Sequence, residues 1–362
     1  MFKYLFIVLF LISFFYNAQV TTEGNLEVKT EKKGKTWDTL KYRKFERVLI
    51  VGIFQQFRNF SNTFDQSLVK DSLGLSKHVY VAESQLIGGV VLNYDKFSVS
   101  FGTKTQPQQF STGKGNTKTF NIGLNVGDNR WVLENYYRRF TGFYNKNTPN
   151  FDTTFKQTGN YYLQPNLKSS LLMNRFMYFT NYKKFSYKSG FGCNYRQLKS
   201  AATWILGSSF NVYTLTNDSS IFPVKSRQFF NSYSTLKGFQ SVNFGINGGA
   251  AGTLVLFKAL FINGYFTLGP EQQWRSYNLG NEYRNLSYVS WSGTSRFSMG
   301  VNLRRFYFLF SNTNDYNLFN SGKLLSFKSE SFTQNLTFGW RFHTKTLDFY
   351  KKFMTSKIYS YL

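Results

Sequence analysis

The 362-residue chain is 20% aromatic, with 42 Phe and 25 Tyr, and only 17% charged, against about 25% in ordinary globular proteins. Mean hydropathy is still negative, and no stretch beyond residue 18 approaches the ~20 apolar residues of a membrane-spanning helix. The formal charge of +26 raises the question of nucleic acid, but the export signal read below argues against it.

Residues 1–18 read as a signal peptide. Lys3 precedes the apolar run Leu5–Phe15, and Tyr16-Asn17-Ala18-Gln19 offers cleavage after Ala18. No Cys follows, which disfavours a lipid anchor. Residues 19–45 are polar, with Glu31-Lys32-Lys33-Gly34-Lys35, and read as a flexible periplasmic leader.

Residues 46–342 carry alternation of period two. Phe97, Val99 and Phe101 alternate with Ser98, Ser100 and Gly102. Phe120, Ile122, Leu124 and Val126 alternate with Asn121, Gly123 and Asn125. Leu336, Phe338, Trp340 and Phe342 alternate with Asn335, Thr337, Gly339 and Arg341. Apolar residues on one face and small polar ones on the other are the signature of a transmembrane antiparallel β-barrel; a soluble β-sandwich is the competing architecture. The expected strands are 46–57, 84–94, 97–105, 118–126, 130–140, 167–180, 184–214, 238–257, 260–274, 288–303, 305–314 and 331–342. Short turns at Asp95-Lys96, Gly127-Asp128-Asn129, Tyr182-Lys183, Lys258-Ala259 and Arg304 alternate with long connections. That is the periplasmic and extracellular pattern of such barrels. Twelve strands balance only if 184–214 is one passage, which is longer than spanning requires. Its stretch Arg196–Ala202 must then be a bulge, an inward excursion or part of a tall strand; a true turn there would raise the count. Residues 343–362 form a basic, aromatic tail.

Chemistry-bearing residues are sparse. Cys193 is the lone cysteine, which excludes an intramolecular disulfide; alternation puts it on the lipid face with Phe185, Tyr187 and Phe191. His78 falls in a long loop and His343 beyond the last strand, so both read as surface residues on opposite sides of the membrane. No Gly-x-Ser-x-Gly elbow, metal-ligand cluster or cofactor motif is present, and no cofactor is expected. Extending the alternation places Lys104, Arg130, Glu134, Arg138, Lys184, Lys188, Arg196, Arg296 and Arg341 on inward faces. Such an interior either attracts anions, if hydrated, or forms a salt-bridged plug. Glu134, the one acid in that set, is expected to pair with a cross-strand or cross-lumen cation, because Arg130 and Arg138 stand about 13 Å away along the strand; a hydrated Glu134 with no fixed partner is the alternative.

Three stretches are similar to a known family. They are Asn129-Arg130-Trp131-Val132-Leu133-Glu134-Asn135-Tyr136-Tyr137 with Gly142-Phe143-Tyr144, Arg196-Gln197-Leu198-Lys199-Ser200-Ala201 with Leu206-Gly207, and Gly339-Trp340-Arg341-Phe342. Over about residues 80–342 the chain resembles an outer-membrane β-barrel family of unknown function common in Bacteroidetes. The resemblance implies the barrel and its location in the cell outer membrane, and no activity. The expected role is that of a non-enzymatic scaffold or partner in an envelope assembly. A small anion-preferring pore is the alternative, and a lipid-modifying enzyme ranks third. Membrane lipid, lipopolysaccharide and other envelope proteins are the expected partners, through Lys and Arg chemistry at the surface.

Overall fold

The computed structural model describes residues 37–45, 48–66, 74–105, 113–320, 325–344, 346, 348–357 and 359. The expected signal peptide and most of the leader lie outside them. Twelve antiparallel strands close into one barrel: β2 (Val48–Asp65), β3 (Lys77–Tyr94), β4 (Phe97–Lys104), β5 (Lys118–Gly127), β6 (Trp131–Asn145), β7 (Leu163–Phe179), β9 (Ala201–Thr216), β10 (Gly238–Leu256), β11 (Leu260–Asn278), β12 (Tyr283–Asn302), β13 (Phe306–Asn320) and β14 (Ser326–His343). Neighbours in sequence are neighbours in the wall, and β14 closes on β2.

The outer face follows from the alternation. On β11, Leu260, Ile262, Phe266 and Leu268 are exposed while Phe261, Asn263, Tyr265 and Thr267 are buried. Outward positions stay apolar or Gly from Leu260 to Pro270. Ten residue steps of about 3.3 Å, tilted by about 40°, cover about 25 Å of membrane. Exposed Trp204 and Trp340 lie toward the short-turn end of this belt, and Trp274 and Trp291 toward the long-loop end. An outward apolar belt with tryptophans toward both ends identifies an outer-membrane barrel, with the short turns on the periplasmic side.

The wall is not uniform. The β4–β5 hairpin is short, and above it β3 pairs directly with β6 through Tyr80–Asn145 and Val81–Tyr144. The barrel therefore has twelve strands at its periplasmic end and ten at its extracellular end. At this step β6 carries a bulge between Thr141 and Phe143. Gly142 there has φ +90°, and a Cβ on it would meet the Asn116 carbonyl oxygen at 2.6 Å. The bulge switches parity: Arg138 and Phe140 face inward before it, Phe143 and Asn145 after it.

Two expectations are corrected. Residues 184–214 are not one strand. Residues 180–200 leave the wall between the adjacent strands β7 and β9 and turn into the periplasmic mouth, forming the short helix Tyr187–Phe191 and the strand β8 (Tyr195–Gln197). The barrel count remains twelve because this excursion contributes no passage. β8 pairs with β1 (Tyr42–Lys44), so the end of the expected flexible leader is built into the same plug. Phe185, Tyr187 and Cys193 are accordingly buried inside the barrel rather than lipid-facing. Their apolar character fits a packed interior as well as it fits lipid, so alternation alone does not distinguish the two.

Candidate functional site: the filled lumen

From the extracellular end inward, the lumen is occupied in three tiers. The first is aromatic. Phe64, Tyr80, Phe140, Phe143, Tyr213, Phe239, Tyr277 and Phe327 from the wall meet Ile221, Phe222, Phe230, Tyr233 and Leu236 from the 217–237 connection. Rings from opposite walls touch: Phe239 on β10 and Phe327 on β14 have centroids 4.6 Å apart. Across the same bore, Tyr213 on β9 donates to Asn62 on β2 at 2.9 Å. His78 lies fully buried in this tier among Phe151, Phe222 and Phe230, with its Nδ1 2.8 Å from the Asn145 amide nitrogen. This corrects its surface assignment; the strand β3 extends through what reads in sequence as loop.

The second tier is ionic. Glu134 on β6 receives Arg296 of β12 across the lumen through two bonds of 2.8 and 2.6 Å, and the Tyr187 hydroxyl of the plug at 2.6 Å. Arg175, its register partner on β7, stands 3.7 Å away. Asp315 on β13 holds Arg138 at 3.3 Å and Arg175 at 3.1 Å. The expected cross-strand and cross-lumen partners of Glu134 are therefore Arg175 and Arg296. Paired in this way, the buried charges escape the several-kcal/mol penalty of isolation.

The third tier is the plug. Arg341 donates to the Cys193 carbonyl at 2.5 Å, to Asn302 at 2.7 Å and to the Leu303 carbonyl at 2.6 Å. Its guanidinium lies between the rings of Phe45 and Tyr307, 4.0 and 5.3 Å from their centroids. Gly339 is required beside it: a Cβ there would meet the Tyr307 ring at 2.1 Å. Ser298 donates to the Gly190 carbonyl at 2.6 Å and Lys188 to the Gly127 and Lys96 carbonyls. Arg196, at the rim, donates to the Lys258 carbonyl at 3.1 Å. Outside the mouth the tail contributes the helix Asp348–Met354, and Tyr350 stacks edge-on against Tyr94. Asp95, in the β3–β4 turn, accepts from Lys44, Tyr350 and Tyr359. Burial alone would raise its carboxyl, but the Lys44 ammonium and these three hydrogen bonds outweigh that and hold it below the ordinary value.

Of the expected lumen residues, Glu134, Arg138 and Arg296 meet in the ionic tier, and Lys188, Arg196 and Arg341 hold the plug. Lys104, near the top of the β4–β5 hairpin, pairs with Glu83 at 3.2 Å. Arg130 and Lys184 are exposed at the periplasmic turns, so their inward placement is corrected. Strand alternation does not extend into the turn where Asp128 accepts from the Arg130 amide. Sequence reasoning missed Arg175, because β7 is apolar on both faces, with Leu172 and Phe176 outward and Met173 and Met177 inward. It also missed Asp315 and Arg58, which fall where the expected strands stop. Among the described residues, no group of His, Cys, Asp and Glu is arranged to hold a metal ion.

Between the ionic tier and the plug lies a cavity of about 210 Å³, lined by Arg58, Arg138, Arg296, Asn121, Tyr136 and Thr333 among others.

No curated protein sequence matches the chain. Among solved structures, it is similar to the outer membrane protease OmpT from Escherichia coli, with TM-score 0.39, 7% identity, and 82% of this chain and 97% of that one covered. It is also similar to the COG4313 outer membrane channel from Pseudomonas putida F1, with TM-score 0.31, 9% identity and coverage of 89% and 100%. A third is the P. putida toluene transporter TodX, with TM-score 0.27, 5% identity and coverage of 82% and 91%. Residues 43–342, which take in the whole wall, the plug and the latch at Arg341, match a single family over their length, and the chain belongs to that family, described as a domain of unknown function, DUF4421.

Proposed function

We propose that this barrel is a closed, non-enzymatic component of the outer membrane that serves as a scaffold or partner in an envelope assembly. The observation that carries this reading is the threefold occlusion of the bore. Cross-lumen aromatic contacts, the Glu134–Arg296 and Arg138–Asp315 ties and the latched plug all stand across the bore among the described residues, which supports a closed barrel. The two histidines support the non-enzymatic part. His78 is enclosed in the aromatic tier and His343 ends β14 at the other mouth, so the two histidines do not share one site. Strands that rise beyond the apolar belt, such as β12 with exposed Tyr283, offer a rigid surface outside the membrane for protein or lipopolysaccharide contact.

The purified barrel in planar bilayers should show no steady single-channel conductance, and the tagged barrel extracted in mild detergent should bring down a defined envelope protein. A stable, anion-selective conductance would replace this reading with that of a small pore, which the basic lumen favours electrostatically.

A further inference from the structure

We propose that the cavity above the plug is a binding site for a small oxyanion, a free phosphate or carboxylate compound, with Arg58 as its principal ligand. The proposal stands whether or not the barrel conducts. Arg58 on β2 is 3% exposed and lines the cavity. Its guanidinium donates to Gln56 at 2.8 Å and to the Thr333 hydroxyl at 3.4 Å, both neutral, and its Nη1 has no partner. Among the described residues no carboxylate comes within ion-pair distance of it, although Asp315 acts on it from farther away. The neighbouring arginines do not share this state. Arg138 and Arg296 on the same cavity wall are each bound to a carboxylate, yet each keeps an unpartnered Nε. Around the ionic tier and cavity, among the described residues, the four arginines Arg58, Arg138, Arg175 and Arg296 share two carboxylates in ion-pair contact, Glu134 and Asp315.

A buried guanidinium without a counter-charge costs several kcal/mol. A hydrated cavity lessens that cost, and an anion removes it. Planar guanidinium forks match the oxygens of phosphate and carboxylate, with charge-assisted bonds about twice as strong as neutral ones. The volume suits this ligand: about 210 Å³ is well above the ~10–15 Å³ that a single water needs. That admits an oxyanion with a short polar body. The cavity wall mixes Asn, Ser, Thr and Arg with Phe54, Val91, Phe191 and Leu309, so the test below separates a free oxyanion from a lipid headgroup.

The test is phosphate titration of the full-length barrel in zwitterionic detergent at constant ionic strength, balanced with chloride and read by the thermal unfolding midpoint. The wild type should show a saturable rise. Arg58→Met, of similar length without the charge, should weaken the phosphate response by about tenfold or more, while Arg58→Lys, which keeps the charge but loses the planar fork, should weaken it less than Arg58→Met does. In phosphate-free buffer Arg58→Met should unfold no earlier than the wild type, because it removes an unpaired buried charge. If Arg58→Met does not fold, Arg58→Gln reads the same loss. Arg139→Gln, on the outer face, should change nothing. Equal responses in wild type and Arg58→Met, a midpoint that follows ionic strength alone, or a response only to phospholipid and not to inorganic phosphate would each overturn the proposal.

Discussion

Replacing Glu134 by Ala tests the ionic tier most directly. The carboxylate is 2% exposed and neutralises Arg296, with Arg175 close by and the Tyr187 hydroxyl bound. Removal leaves Arg296 buried with no carboxylate in contact, while Arg175 keeps Asp315 at 3.1 Å. Breaking one side of a buried pair costs about 3–5 kcal/mol. With a urea slope of about 3 kcal/mol/M, the midpoint of unfolding from vesicles falls by about 1–1.7 M. The double variant Glu134→Ala with Arg296→Met removes both charges, and should recover part of that loss because no uncompensated charge stays buried, while the volume lost at position 134 is not refilled. The four midpoints form a cycle whose coupling term isolates the tie. A Glu134→Ala midpoint within about 0.5 kcal/mol of wild type, the range of an inert surface substitution, would refute a structural tie and mark Glu134 as a hydrated charge. Raised anion conductance in the same variant would point instead to a pore-lining role.

Other expectations follow from exposure and charge. Cys193 is fully buried, so the native barrel should not react with maleimide until it is unfolded. Against that silent background, Lys156→Cys in an extracellular connection should label on intact cells and Arg304→Cys in a short turn should not; the reverse would invert the barrel in the membrane. Phe338→Arg places a charge on the lipid face of β14 and should cost about 2–4 kcal/mol, measured by urea unfolding, whereas Phe338→Leu should cost far less. Docking of the tail depends on ionised Asp95. Because its carboxyl is held below the ordinary value, the contribution is complete above about pH 4, the unfolded aspartate value. It is lost as pH falls through the depressed value. Protease cleavage near Lys351 should therefore accelerate only in strong acid, and Asp95→Asn should bring that faster cleavage to neutral pH.

The wall was legible in the sequence because lipid imposes a strict period of two on its outer face. The short-turn ends agree within a residue or two at Tyr94–Phe97, Leu256–Leu260 and Asn302–Phe306. The loop-side ends do not. β2 continues to Asp65, β3 begins at Lys77 and β11 runs to Asn278, because beyond the membrane the outer face becomes polar and the alternation fades. Asp315 and His78 were assigned to loops for that reason. Glu134 was legible as a site because a mid-strand carboxylate on an inward face must find a cation. The plug was not, since Phe185, Tyr187 and Phe191 are apolar in either setting. The parity switch at Gly142 left only a glycine as its sign.

The latch on the plug bears on assembly order. Residues 180–200 hang from two adjacent strands, β7 and β9, midway along the chain. Besides contacts from strands and turns of the wall, the plug is fastened from both ends of the described barrel: by β1 and Phe45 before β2, and by Arg341 on the last strand. That strand also supplies the seam with β2. Arrival of β14 therefore both seals the wall and adds the Arg341 latch to the plug, so closure of the cylinder and completion of the plug's fastening share one strand.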